Sequence, residues 1–176
     1  MEPLALDAVR ESLPDFAKDT KVNLSSTLST EVLSPAQVYG VAVAAAIAAR
    51  APRLTAAYTQ DARARGVNEA TLDDARAAAV LMAMNNVYYR FRHVVGKDSY
   101  AQKPARLRMQ RLVQTTGPKV DFELFCLAVS ALNGCEACVR SHEAAVLAGG
   151  LTEDHVHDAV RIASVVRAGA VALDLL

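Results

Sequence analysis

The sequence has few cysteines, no net charge and no long hydrophobic run, and each absence excludes a class of protein. Three cysteines are too few, and odd in number, for the disulfide framework of a small secreted protein. Nineteen basic and nineteen acidic residues balance, so no overall field attracts nucleic acid or an anionic membrane. The most apolar run, Val41 to Ala49, is too short to span a bilayer. Because Met1-Glu2-Pro3-Leu4 also lacks the features of a signal peptide, we expect a cytoplasmic protein.

Signals for β-strands are almost missing as well. No window sustains the alternation of apolar and polar residues that marks a strand, and alanine dominates the apolar residues. Helix starts are frequent instead: Ser34-Pro35, Thr71 and Thr152 each stand as a cap before an apolar, helix-forming segment. The sequence therefore predicts an all-α fold, and 176 residues suffice for a single domain, 1–176, with its own core.

Two segments of the chain echo each other at a constant offset. Residues 81–90 align with residues 129–138, and both place asparagine where an apolar helix is expected to end and a new one to begin. This echo predicts two related helical sub-lobes, roughly 1–100 and 101–176. Only the second copy has cysteines at the junction, so only the second is expected to carry thiol chemistry.

The motif that most strongly indicates function is a cysteine pair at the junction of two predicted helices. Residues 122–132 have an apolar stripe at helical spacing, and Asn133-Gly134 ends that helix. A second helix is expected from Cys135 to Gly149, which puts Cys135 and Cys138 in its first turn. Free N–H groups and the positive end of the helix dipole favour thiolate there, and CxxC motifs lower the pKa of cysteine in general.

A histidine and a glutamate complete the motif. His142 lies four residues beyond Cys138 and seven beyond Cys135, so all three share one helix face. Glu123 lies roughly 15 Å back along the first helix from the turn, and His142 about 10 Å forward along the second. If the helices form an antiparallel hairpin, Glu123 comes alongside His142. A carboxylate that holds an imidazole beside a thiol is a proton relay, so we predict one here.

Other interpretations of the same residues stay open. Zinc could be held by the two thiols with His142 and Glu123, although structural zinc sites usually use two separated ligand pairs. The alternative function is therefore a redox sensor, or a zinc-binding interaction module, that does not turn over. Proximity to the helix end, and the greater exposure expected there, favour Cys135 as the nucleophile, whereas the spacing to His142 favours Cys138. The third thiol, Cys126, falls on the apolar stripe and is predicted to be core.

The motif resembles that of a known family. Glu123, an eleven-residue gap, Cys135-x-x-Cys138 and x3-His142 are similar to the signature of the AhpD alkyl hydroperoxidases, within the carboxymuconolactone decarboxylase-like superfamily. Further segments that resemble the family's pattern are Phe16-Ala17-Lys18-Asp19, Lys21-Val22-Asn23-Leu24, residues 84–90 and Asp121-Phe122-Glu123-Leu124. The resemblance covers nearly the whole chain.

The resemblance implies a specific chemistry. Proteins of this family are all-helical homotrimers that pass electrons from dihydrolipoyl groups, carried by an acyltransferase, to the peroxiredoxin AhpC, and they reduce hydroperoxides weakly themselves. By position, Cys138 is the attacking thiol that becomes a sulfenic acid, and Cys135 is its resolving partner and proton donor. Glu123 and His142 form the relay, and no bound cofactor or metal is implied.

The chain also departs from the family pattern at one position. Family members can carry histidine immediately before the second cysteine, where this chain has Ala137. The assistance of that histidine is therefore not expected here. A decarboxylase-like enzyme that works without thiols is a third possibility within the superfamily, but it leaves the cysteine pair without a role.

Overall fold

The protein is all-α, as the sequence predicts. A computed structural model describes residues 5–176; the N-terminal segment on which the expectation about a signal peptide rests lies outside the described residues. Over 5–176 the elements are α1 (Ala5–Glu11), α2 (Lys18–Ser26), α3 (Pro35–Ala48), α4 (Pro52–Ala64), α5 (Glu69–Val95), α6 (Asp98–Ala101), α7 (Lys119–Leu132), α8 (Glu136–Ala148) and α9 (Glu153–Asp174), with short 3-10 turns at Asp15–Ala17 and Gln110–Leu112. None of the helices so described is long and apolar enough to cross a membrane.

Helix α3 is the centre of the fold. Every residue from 37 to 46 is buried, and the helix packs against α4, α5, α7 and α9. Small side chains allow this close approach: a Cβ atom on Gly40 would lie 2.1 Å from Cζ of Phe125 in α7. The predicted cap is confirmed, because Ser34 accepts a hydrogen bond from the Gln37 N–H while the Gln37 side chain accepts one from the Ser34 N–H.

Helix α5 differs from the prediction at both its start and its middle. Its N-cap is Asn68, whose side chain accepts a hydrogen bond from the Thr71 N–H at 2.9 Å, so the helix begins before the predicted cap at Thr71. The predicted break at Asn85-Asn86 is wrong, because the helix continues without interruption to Val95. Asn86 stands where the second copy has Gly134, and its side chain bonds to Ser130 in α7 and to Asn133 in the turn that follows, rather than to its own backbone. The Asn86 side chain therefore does not compete for the backbone hydrogen bonds of α5, and the helix continues.

The hairpin of α7 and α8 forms as predicted. Gly134 adopts a left-handed conformation (φ 66°) that reverses the chain between the two helices. The turn is tied to α5: the Asn133 amide donates to Asn86 Oδ1 at 2.9 Å, and Arg90 donates to the Asn133 carbonyl at 2.7 Å. Asn86 in turn donates to Ser130 Oγ at 2.9 Å. These bonds fix where α8, and the cysteines at its start, lie against the long helix.

The two halves of the sequence share one hydrophobic core. Buried residues of α1 to α5 and of α7 to α9 form a single cluster, with α3 from the first half packed directly against α7 and α9 from the second. The division into related sub-lobes, roughly 1–100 and 101–176, stays a prediction.

Candidate active site

Glu123 and His142 meet across the α7–α8 hairpin. Oε2 of Glu123 lies 2.6 Å from Nδ1 of His142, and each side chain is 13% exposed. The contact predicted from helix rise is therefore present. Because Nδ1 faces the carboxylate, Nδ1 is the nitrogen that carries a proton, and Nε2 is left to accept or donate one elsewhere.

Lys119 is a second partner of Glu123 that the sequence analysis missed. Its Nζ donates to Oε1 of Glu123 and to the backbone carbonyl of Leu112. Burial acts to raise the pKa of Glu123, but hydrogen bonds from His142 and then Lys119 outweigh it and hold that pKa below its usual range. Glu123 is therefore ionised at neutral pH. The spacing of four residues between Lys119 and Glu123 is the sequence signal that could have revealed this pair.

The two cysteines of the motif are joined in a disulfide. Cys135 and Cys138 have Cα atoms 5.3 Å apart, within the usual range for such a bond. Cys135 is the N-cap of α8 and is completely buried, whereas Cys138, in the first turn, is 6% exposed. The expectation that Cys135 is the more exposed thiol is wrong. After Gly134 the chain folds back, and the Cys135 N–H bonds to the Ser130 carbonyl at 3.1 Å, which holds the first cysteine against α7.

Cys138 and His142 line one cavity of about 340 Å³. Its other lining residues are Asn85, Tyr89, Met109, Leu112, Ala137 and Ser141. Cys135 and Glu123 are not among the lining residues, so Cys138 is the sulfur that a molecule in the cavity meets. Ala137, the position of departure from the family pattern, lines the same cavity; a histidine here would place its ring at this wall.

The loop between α6 and α7 forms one side of the cavity through Met109 and Leu112. Arg111 fixes this loop, because its guanidinium bonds to Asp73 at 2.6 Å and to the buried carboxylate of Asp74 at 2.7 Å. Lys119 bonds the same loop to Glu123, as described above. The contacts of Arg111 and Lys119 thus hold both the loop that lines the cavity and the Glu123 carboxylate that bonds to His142.

The remaining cysteine and a second groove play no part in this arrangement. Cys126 is completely buried within the core, as predicted, and burial raises the pKa of its thiol well above the usual value. A larger, open groove of about 760 Å³ runs beside α4 and has three arginines but no thiol or imidazole in its wall. Within residues 5–176, no three His, Cys, Asp or Glu side chains are grouped so that they could hold a metal ion.

Comparisons with known proteins extend the resemblance along the chain. The family model described as the carboxymuconolactone decarboxylase family matches residues 99–176. The chain is 66% identical over 171 residues to alkyl hydroperoxide reductase AhpD of Anaeromyxobacter dehalogenans, covering 97% of this chain and 91% of that protein. It is 47% identical to the protein of the same name from Rhodopseudomonas palustris, over 97% of this chain and 94% of that one. A third such relative, from Methylocella silvestris, is 43% identical over 97% of this chain and 96% of its own length. At these identities and coverages, the chain belongs to the alkyl hydroperoxide reductase AhpD family.

Proposed function

We propose that the protein is a thiol–disulfide oxidoreductase that passes electrons from dihydrolipoyl groups to alkyl hydroperoxides and to the oxidised peroxiredoxin AhpC. One observation carries the proposal. Cys138, already bonded to Cys135, lines the same cavity as His142, and His142 is held by an ionised Glu123. The names of the relatives support the hydroperoxide as a substrate.

The oxidative half of the cycle begins at Cys138. His142, with Nδ1 bonded to Glu123, takes the Cys138 proton on Nε2, and Glu123 stabilises the imidazolium that forms. The thiolate attacks the terminal oxygen of the hydroperoxide, the O–O bond breaks, and the leaving alkoxide takes the proton from His142. Cys138 is then a sulfenic acid.

Cys135 completes the oxidation. Its sulfur attacks the Cys138 sulfur, and its proton leaves with the hydroxide as water, so two thiols and one hydroperoxide give one disulfide, one alcohol and one water. With oxidised AhpC, the Cys138 thiolate instead attacks the peroxiredoxin disulfide, and Cys135 resolves the mixed disulfide. Burial of Cys135 suits this role, because a resolving thiol has to reach only its neighbour.

A dihydrolipoyl group restores the dithiol. One of its thiolates attacks the Cys138 sulfur, which faces the cavity, and Cys135 leaves and is protonated. The second lipoyl thiol then attacks the mixed disulfide and releases Cys138. Two lipoyl thiols become a disulfide as the protein disulfide becomes two thiols. The lipoyl group is proposed to arrive on an acyltransferase in the cytoplasm, where disulfides are usually transient and catalytic.

We also propose that the protein works as a homotrimer. Helix α5 presents an apolar stripe at heptad spacing: Val80, Val87 and Val94 are 68%, 61% and 77% exposed. Such a row on one helix face is suited to burial against another copy. Sedimentation equilibrium tests this; a monomer would contradict it without affecting the thiol chemistry.

Intact mass spectrometry tests the chemistry. We expect the reduced protein to lose two hydrogens when treated with tert-butyl hydroperoxide, with the new bond mapped to Cys135 and Cys138, and to regain them with dihydrolipoamide. Retention of a zinc ion under native conditions, with both thiols protected from the peroxide, would favour the alternative of a binding module instead.

A further inference from the structure

Asn85 is a buried polar residue in the cavity wall that the proposed thiol chemistry does not use. It lies in α5, is 4% exposed, and lines the cavity together with Cys138 and His142. Its Oδ1 is fully buried, and among residues 5–176 it is the one buried side-chain nitrogen or oxygen atom without a hydrogen-bond partner. The amide of Asn85 therefore has hydrogen-bonding capacity that the described protein does not satisfy.

The neighbouring residue, Asn86, is an asparagine with a structural role. Asn86 is 2% exposed, donates to Ser130 Oγ at 2.9 Å and accepts from the Asn133 amide at 2.9 Å. Asn86 thereby joins α5 to the α7–α8 turn. Asn85 has the same chemistry and nearly the same depth of burial, but its side chain bonds to no other residue in the described part of the chain. A buried polar atom without a partner destabilises the folded state. A residue that costs stability beside a reactive thiol points to a ligand.

We propose that Asn85 is a substrate-binding residue that hydrogen-bonds the O–O–H group of an alkyl hydroperoxide while Cys138 attacks it. The amide NH₂ can donate to a peroxide oxygen. A hydroperoxide has a single donor, its terminal O–H, which Oδ1 accepts after a half-turn of the amide that keeps the same shape and brings this buried oxygen to the cavity. Tyr89, Met109 and Leu112 supply a largely apolar wall of the same cavity, which suits the alkyl group. The inference rests on the proposed function and specifies how its substrate is held.

The bond changes in this step define what Asn85 does. The Cys138 sulfur forms a bond to the terminal oxygen, the O–O bond breaks, and the alkoxide leaves with the electron pair and takes its proton from His142. Asn85 neither gives nor takes a proton; it holds the terminal oxygen in line with the sulfur. Reduction of the disulfide by a dihydrolipoyl thiol involves no O–H group, so that half of the cycle does not need Asn85.

The test compares the wild-type protein with Asn85→Leu, which keeps the approximate shape without the amide, and with Asn85→Ala. Second-order rate constants are measured for oxidation of the reduced protein by tert-butyl hydroperoxide, for methylation of Cys138 by methyl iodide, and for reduction of the disulfide by dihydrolipoamide. Methyl iodide has no hydrogen-bonding group, so it reports the reactivity of the thiolate alone. We expect oxidation by the hydroperoxide to slow about tenfold in both variants, and the other two rates to stay within about twofold.

Thermal unfolding separates this role from a structural one. Asn85→Leu should raise Tm, because an unsatisfied buried atom is removed, whereas Asn86→Ala should lower Tm, because Ser130 and Asn133 lose their partner. Unchanged oxidation by the hydroperoxide in both Asn85 variants would overturn the inference and leave the proposed function standing. Parallel slowing of methylation would overturn it too, by showing an effect on the thiolate itself. Failure of the wild-type protein to react with the hydroperoxide would refute the proposed function as well.

Discussion

Replacement of Glu123 by glutamine should slow the attack of Cys138 without unfolding the protein. The change keeps the size of the side chain but removes the negative charge 2.6 Å from Nδ1 of His142. A hydrogen bond to a charged group contributes about 1.5–3 kcal/mol, against about 0.5–1.5 kcal/mol for a neutral one. The loss is therefore about 1–1.5 kcal/mol of stabilisation of the imidazolium, or about a tenfold lower rate. Both side chains are largely shielded from water, so solvent does not restore the interaction.

The assay follows formation of the disulfide in the reduced protein with tert-butyl hydroperoxide at pH 7, by quenched alkylation and intact mass. Glu143→Gln is the matched control, because Glu143 is the next residue to His142 on α8 and its carboxylate does not bond to that imidazole. We expect the control to react within about twofold of the wild-type rate. Lys119→Met should give an intermediate decrease, since it removes the second partner of Glu123 and leaves the contact with His142.

A Glu123→Gln protein that reacts as fast as the wild type would refute the relay. A large decrease shared with Glu143→Gln would also refute it, because the effect would then be a general change of charge near α8. Circular dichroism on all three variants checks that each remains helical. The reasoning requires a loss that is specific to the carboxylate bonded to His142.

Three further predictions follow from the same geometry. Cys138→Ser should abolish oxidation by the hydroperoxide, while Cys135→Ser should stop at the sulfenic acid of Cys138, detected as a dimedone adduct; an adduct on Cys135 in the first variant would reverse the assignment. Because the pKa of Glu123 is lowered in the folded protein, its contribution to stability is present above the pKa of an unfolded glutamate, about 4.3, and is lost as pH falls through the folded pKa. Urea unfolding should thus give a higher free energy of unfolding for the wild type than for Glu123→Gln at pH 7, and a smaller difference between the two near pH 3. An equal difference at both pH values would contradict the pKa argument. Gly40→Ala should lower the free energy of unfolding by about 1–3 kcal/mol, since the added Cβ would lie 2.1 Å from the buried ring of Phe125. An unchanged free energy of unfolding would mean that α3 and α7 separate easily.

The parts of the site that were predictable from the sequence depend on local spacing. Helix rise and a glycine turn suffice to bring Glu123 to His142, because both residues lie within one hairpin whose turn residues, Asn133-Gly134, are plain in the sequence. The capped starts at Ser34 and Thr152 are equally local, and both precede helices as expected.

The parts that were not predictable depend on tertiary packing. Which cysteine faces the cavity is decided by how the turn folds back on α7, and the sequence pattern alone favoured the wrong order of exposure. The continuation of α5 through Asn86 depends on partners in α7 and the following turn, more than forty residues away. Met109 and Leu112 come from a segment without helical periodicity, so nothing in the sequence places them opposite Cys138.

Steady-state turnover tests the central claim most directly. The protein is mixed with a large excess of dihydrolipoamide and tert-butyl hydroperoxide, and consumption of both is followed per mole of protein, with Cys138→Ser as the control. We expect many equivalents of hydroperoxide to be reduced, one dihydrolipoamide to be oxidised for each, and no activity in the control. Consumption that stops at one equivalent, or that continues unchanged in Cys138→Ser, would contradict a catalytic dithiol–disulfide cycle at this site.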